Sequence, residues 1–378
     1  MKKLKYLDKG LLFFCIVLFV IGLFMIFSAS NVAAFMKMEK SPFIFLTRQV
    51  MWLGLGLLIF IAGITVHSKV FKSVSFPLLL AMIVALIYLL IEGQVINNAR
   101  SWLRFGPLSL QPSEVIKVIF IVYIANYYHK NENKLNTYVK AMAPLGIALG
   151  ISILILLQPD LGTTVIFILI VGFMFIISPL ASSVKLRVIL AVLGLSGVLL
   201  VGFLSSGKSL LREHQSQRLD LRSPCSEEKF YDHGNQLCNG YIAINNGGLF
   251  GKGLANSTQK YLYIPEAHTD FIFTIVVEEL GAVISLLIIL SIFIVIFRIV
   301  MIGKRALNNF HAMLSYGVAF YIFLHLVINL SGILGLLPMT GVPLPFLSYG
   351  GSFTLSLIAG LAMVQKVNIE TRMKTSRK

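Results

Sequence analysis

Runs of roughly 17 to 25 apolar residues recur along this 378-residue chain, and no other feature restricts its fold so severely. In hydrocarbon the backbone N–H and C=O groups find no water, so each run must satisfy them internally as a helix. Stretches near residues 11–30, 45–66, 76–92, 112–128, 139–157, 160–178, 186–204, 270–299, 308–331 and 350–366 qualify. They predict an all-α, polytopic membrane protein of about ten transmembrane helices. Composition agrees: 57% of residues are hydrophobic and 13% charged, against about 25% charged in soluble domains.

A net charge of +16 would point to nucleic acid in a soluble protein, but here the cations are sorted by side. Lys69 and Lys72, then Lys130, Lys134 and Lys140, then Lys185 and Arg187, then Arg298, Lys304 and Arg305 occupy alternate connections. They share a side with the lysines of the N-terminus and with the basic tail from Lys366 to Lys378. The positive-inside rule therefore predicts both termini in the cytoplasm and assigns no nucleic-acid partner. Lys2, Lys3, Lys5 and Lys9 before Leu11–Phe27 look like a signal peptide, yet the apolar region is too long and many spans follow, which predicts an uncleaved first helix. The whole chain, 1–378, reads as one transmembrane domain. Within it, 205–268 forms a large extracytoplasmic loop between the seventh and eighth helices.

Asp270 stands where that loop meets the eighth helix. Two roles are open to it: cap of the following helix, or a carboxylate whose pKa is lifted toward neutrality at the water–lipid boundary and which then acts as general base. Asp270, Thr274 and Glu278 fall on one helix face, spaced over about 12 Å, a polar line longer than a cap requires. Glu114 and Lys117 are three apart inside the fourth span and predict a structural ion pair. Asp160, in a short turn, predicts the N-cap of the sixth helix. His325 and Asn329 lie four apart on the ninth helix. Beyond them the run Leu336–Ser352, with three prolines and three glycines, predicts a rigid non-helical rim around a site. Cys225 and Cys238 fall on the oxidising side, where a disulfide can form. Gly251-Lys252 fails as a phosphate-binding loop, since Gly253 replaces the required Ser or Thr. The sequence carries no zinc-ligand spacing and assigns no metal site.

Several of these stretches resemble the SEDS family (shape, elongation, division and sporulation). They are His268-Thr-Asp-Phe-Ile-Phe273 with Glu278-Glu-Leu-Gly281, Pro343-Leu-Pro-Phe-Leu-Ser-Tyr-Gly-Gly351, Gln158-Pro-Asp-Leu-Gly-Thr163, and Ala99-Arg-Ser-Trp-Leu103 with Gln111-Pro-Ser-Glu114. They occur in family order over nearly the whole chain. Gly253–Lys260 and Pro265–Asp270 resemble the division branch; Ala255 and Phe353 depart from the family's usual glycine and serine.

The resemblance implies a peptidoglycan glycosyltransferase that polymerises lipid II on the outer face of the bacterial plasma membrane, at the division septum. It implies a class B penicillin-binding protein and other divisome proteins as partners, besides membrane lipid, and it matches Asp270 to the family's essential aspartate. Lipid II carries its own diphosphate leaving group, so no nucleotide is needed and one base suffices for inversion. Arg48, Arg100, Arg104, Arg212 and Arg218 are candidate partners for diphosphate charge, with His268, Thr269, Ser348 and Tyr349 as further substrate-side candidates. A divalent cation could share that charge, though no ligand cluster identifies one. The alternatives are a lipid II flippase using the polar line as a pathway, the elongation-type polymerase of the same family, and a scaffold that only recruits the transpeptidase.

Overall fold

The computed structural model describes residues 4–38, 41–93, 101–105, 108–132, 138–205, 224–226 and 234–376. The candidates Arg100, Arg212 and Arg218 lie outside the described residues. Helices account for most of the chain: α1 (Lys9–Met38), α2 (Ile44–Thr65), α3 (Ser68–Glu92), α4 (Pro112–Lys130), α5 (Tyr138–Leu157), α6 (Leu161–Ile176), α7 (Ser182–Ser205), α8 (Asn235–Gly247), α9 (Ile272–Lys304), α10 (Asn309–Ile333) and α11 (Gly351–Thr375). Each apolar stretch noted above falls on one of them. Among the described residues seven are long and apolar enough to cross a membrane: α1, α2, α3, α5, α9, α10 and α11. The chain is a multi-pass helical membrane protein. Two features depart from the sequence expectation. A short hairpin, β1 (Leu103–Phe105) with β2 (Leu108–Leu110), precedes α4, and α8 is a helix inside the segment read as polar loop.

The helices separate into an inner and an outer set. In the most apolar window of α11, 89% of residues are buried, and 72% in α10, against 22% in α2 and α3. The outer helices present Phe13, Phe24, Val84, Ile91 and Leu286 outward, which only a lipid solvent makes tolerable. The polar residues go inward instead, with Gln49, Glu114, Lys117, Gln365 and Lys366 all buried. Inner and outer helices approach closely through small residues. Gly63 of α2 faces Ala362 of α11 so tightly that an added Cβ would stand 2.8 Å from the alanine methyl, the packing that association in lipid favours.

One end of the bundle gathers both chain ends. Asp8 N donates to Gln365 (2.9 Å) and Asn368 donates to the Tyr6 carbonyl (2.8 Å). Glu370 accepts from the Ser68 hydroxyl (2.6 Å), and Arg298 pairs with Asp8 (2.8 Å). The basic residues of α3, α9 and α11 sit at this same end. The opposite end holds the hairpin, Asp160 and Asp270. There Asp160 caps α6, accepting from Thr163 N at 3.0 Å, and also accepts from Gln111 at 3.0 Å.

α9 is broken. Gly281 has φ +81°, ψ 168°, outside helical space and open to glycine alone. The break strands two carbonyls above it and two amides below. Residues 248–253 fill the gap: Lys252 N and Gly253 N donate to the Glu278 and Glu279 carbonyls (both 2.9 Å), while Ala282 N and Val283 N donate to the Gly248 and Leu249 carbonyls (2.9 and 3.2 Å). These four main-chain groups, freed by the kink, are thus paired again by another part of the chain.

Candidate functional site

The segment from His268 to Phe271 lies between the start of α2, the end of α10 and the non-helical run before α11. Asp270 is not the cap of α9: the N-cap position belongs to Phe271, and no side chain caps that end. The carboxylate instead faces a cleft lined by Asn329, Thr340, Gly341 and Val342, whose cavity volume is about 10 Å³, room for one water. Thr269 Oγ1 lies 2.9 Å from Asp270 Oδ1. Burial pushes the Asp270 carboxyl above the ordinary carboxylate range, and nearby Glu266 adds to the push. The hydrogen bonds from Thr269 and from the backbone amides of Asp270 and Phe271 oppose it. The group is therefore a stronger base than a free aspartate, as proton abstraction requires.

Two residues of α10 hold the facing loop in register. Asn329 Nδ2 donates to the Asp270 carbonyl (2.7 Å) and the Val342 carbonyl (2.8 Å). One turn earlier, His325 Nδ1 stands 3.4 Å from the Pro343 carbonyl. Between them Gly341 takes φ +66°, and a Cβ there would come to 4.0 Å from Asp270 Oδ2. The positive φ favours glycine at this position, and the loop backbone there lies beside the carboxylate. Sequence reasoning placed His325 and Asn329 on one face but did not see this contact, nor Gly341; a lone glycine inside a proline-rich run was the signal available.

On the α2 side, His268, Tyr349 and Arg48 come together. Tyr349 N donates to the His268 carbonyl (2.9 Å), and the His268 ring packs on Phe45 with centroids 4.1 Å apart and on Tyr349 at 5.5 Å. Burial lowers the His268 pKa to about 4, so its ring is neutral and its 3.7 Å approach to Glu266 is no ion pair at pH 7. Burial raises the Tyr349 hydroxyl, while the Arg48 charge and hydrogen bond pull it back. Ser348 is buried and committed to a turn, accepting from Leu344 N at 2.8 Å. Arg104 lies exposed on β1, opposite Ser109.

Lys117 Nζ lies 2.6 Å from Glu114 Oε1, fully buried, and 3.2 Å from His325 Nε2. This buried pair touches the residue that contacts the facing loop, a link that three-apart spacing alone cannot reveal. The polar line below Asp270 is not an open pathway. Thr274 bonds back to the Phe271 carbonyl (2.8 Å). Glu278 accepts from Ser257, Thr258, Lys252 and Asn246, and Glu279 pairs with Lys260 (3.0 Å) and accepts from Ser28 (2.6 Å). Both glutamates anchor 252–260 to α9. Cys225 and Cys238 form a disulfide joining the loop to α8. Among the described residues no three His, Cys, Asp or Glu side chains cluster as metal ligands.

Comparison with known proteins places this geometry. The family model described as cell cycle protein (FtsW, RodA, SpoVE) matches residues 9–373. The chain is 34% identical to a Bacillus subtilis (strain 168) protein named "Probable peptidoglycan glycosyltransferase FtsW", over 100% of this chain and 94% of that one. Among solved structures, it resembles a chain of a peptidoglycan synthase complex that coordinates polymerization and crosslinking, with TM-score 0.75, 25% identity and coverage of 96% and 97%. It also resembles the rod shape determining protein RodA of Thermus thermophilus, with TM-score 0.67, 25% identity and 96% of both chains covered.

Proposed function

The chain belongs to the cell cycle protein family of FtsW, RodA and SpoVE, and from that premise we propose that it is a peptidoglycan glycosyltransferase polymerising lipid II at the outer face of the plasma membrane. The observation that carries the chemistry is Asp270, a carboxylate of raised basicity facing a cleft beside a glycine loop. In the reaction proposed, Asp270 accepts the proton of an acceptor sugar hydroxyl as its oxygen bonds to the anomeric carbon of the donor. The anomeric C–O bond to the undecaprenyl diphosphate breaks, and the electron pair leaves with the diphosphate. Attack by the acceptor oxygen opposite the leaving group, with a single base to take its proton, gives inversion. Arg48 is tied to the site through its hydrogen bond with Tyr349, and we assign it to developing diphosphate charge. Among the described residues no three His, Cys, Asp or Glu side chains cluster as metal ligands, and no step is routed through a divalent cation.

We infer ten spans with the basic end in the cytoplasm, and hence Asp270 and the 205–268 loop outside; the sorting of cations and the meeting of Asp8 with Gln365 and Arg298 support this reading. The division role rests on the FtsW relatives, and a class B penicillin-binding protein is the proposed cross-linking partner, alongside other divisome proteins. A transport reading loses its main support, because Glu278 and Glu279 are occupied by loop contacts instead of lining a path.

The test is polymerisation of lipid II followed on gels, with the partner present. Asp270→Asn is expected to lose activity by about 10² to 10⁴ while inserting and binding its partner normally. Glycan extension by the purified variant at near wild-type rate would remove Asp270 as the base.

A further inference from the structure

At the end of the bundle opposite Asp270, a cavity of about 380 Å³ opens between the start of α1 and the ends of α9 and α11. Three of its lining residues are arginines, Arg298, Arg305 and Arg372, and one is a carboxylate, Asp8. Asp8 Oδ1 caps α1 by accepting from Leu11 N (2.7 Å) and holds Arg298 Nη1 (2.8 Å). The Arg298 guanidinium lies over Gly10, in the space that a Cβ there would take. Only one of its five N–H donors is used by Asp8. Arg372 stands 3.9 Å from Asp8 Oδ2, beyond hydrogen-bond length, and Arg305 has no acidic partner among the described residues. Three guanidinium groups thus surround a cavity with one carboxylate to answer them.

We propose that this cavity binds the phosphate headgroup of an anionic phospholipid of the inner leaflet. The charge calls for an anion, and guanidinium forks suit phosphate oxygens. The wall calls for a lipid. Phe297 lines the cavity and is 64% exposed, and it continues into Phe293, Leu290 and Leu286, an exposed apolar stripe along one face of α9. An acyl chain attached to a phosphate in the cavity would lie along that stripe, whereas free phosphate would gain nothing from it. Basic pockets between helices on the cytoplasmic side have this character generally. The inner-leaflet assignment rests on the topology proposed above.

The experiment is native mass spectrometry of the purified full chain in detergent, offered an equimolar mixture of phosphatidylglycerol and phosphatidylcholine with identical acyl chains. Wild type is expected to retain phosphatidylglycerol selectively. The double variant Arg305→Gln/Arg372→Gln leaves the Asp8–Arg298 pair intact and is expected to lose that preference by about thirtyfold, each arginine near an anionic surface contributing roughly fivefold. Arg305→Lys/Arg372→Lys is expected to keep most of it, which separates charge loss from misfolding. Equal retention of both lipids by wild type, or unchanged selectivity in the glutamine variant, would overturn the proposal. So would complete displacement of the lipid by inorganic phosphate, which would mark a free-phosphate site. The count of bound lipid does not depend on polymerase activity. Topology is checked apart from it: Lys304→Cys is expected to react with an impermeant maleimide only after permeabilisation, and labelling in intact cells would remove the inner-leaflet assignment.

Discussion

Replacing Asn329 with leucine tests whether α10 holds the glycine loop in place against Asp270. The side chain donates two hydrogen bonds, to the Asp270 and Val342 carbonyls, and leucine keeps its size while removing both. Each bond contributes about 1 kcal/mol net, and each carbonyl left dry costs roughly 1–3 kcal/mol more. The adjacent cleft has room for one water, which can satisfy one carbonyl, so the loss should come to about 2–4 kcal/mol. Part of it appears as lower stability. The rest appears as misplacement of Asp270 relative to the loop; about 1–2 kcal/mol of it in the transition state would slow turnover roughly 5- to 30-fold. Lipid II polymerisation at saturating substrate should therefore show a lower kcat with little change in KM, because Asn329 binds backbone and not sugar. Asn329→Asp should be worse, since it sets oxygens against two carbonyl oxygens. A folded, partner-bound Asn329→Leu protein with wild-type kcat would refute the claim that these bonds position the base.

Further outcomes follow from the same contacts. Because Asp270 holds its proton more tightly folded than unfolded, ionising it as pH rises weakens the fold. Asp270→Asn should therefore melt above wild type at neutral pH, with the gap closing as the pH falls below the ordinary carboxylate range; a lower Tm at neutral pH would contradict this. The base works only when ionised, so the acid limb of kcat/KM should lie above the usual aspartate range, and a limb within that range would argue against burial as its cause. His268 behaves with the opposite sense: its folded pKa is near 4 against 6.5, so stability present above pH 6.5 is lost as the pH falls toward 4. His268→Phe should remove that sensitivity in thermal melts at successive pH values. Lys260→Met leaves Glu279 charged and buried and should cost about 3–5 kcal/mol, measurable by thermal or urea unfolding; an unchanged midpoint would show that its other donors, the Ser28 hydroxyl (2.6 Å) and the Ser257 amide (3.4 Å), suffice.

What could be read in the sequence is what short-range physics dictates. Lipid forces long apolar helices, so α1 or α11 announces itself; Asp160 caps α6 from three residues away; Glu114 meets Lys117 because a helix turn brings them together. The contacts that escaped are those between residues far apart in the chain. His325 joins the Glu114–Lys117 pair across 208 positions. Glu279 reaches Ser28 across 251. Gly281 sits in a sequence that could continue as ordinary helix, and only residues 248–253 explain why it does not. For the same reason the line from Asp270 to Glu278 reads as a channel wall on a helical projection and proves to be an anchorage in three dimensions. The hairpin and α8 escaped because both are short pieces inside polar stretches, where an apolar period is a weak guide.

The fracture at Gly281 has a mechanical consequence. Residues 248–253 bind the carbonyls above it and the amides below it by two main-chain bonds each, so they splint the two halves of α9 across the break. Above the break, Glu278 and Glu279 are clamped to residues 252–260 as well. The stub that carries Asp270 at its head is therefore aimed by a segment remote in the chain, and a change that loosens that splint should be felt at the carboxylate.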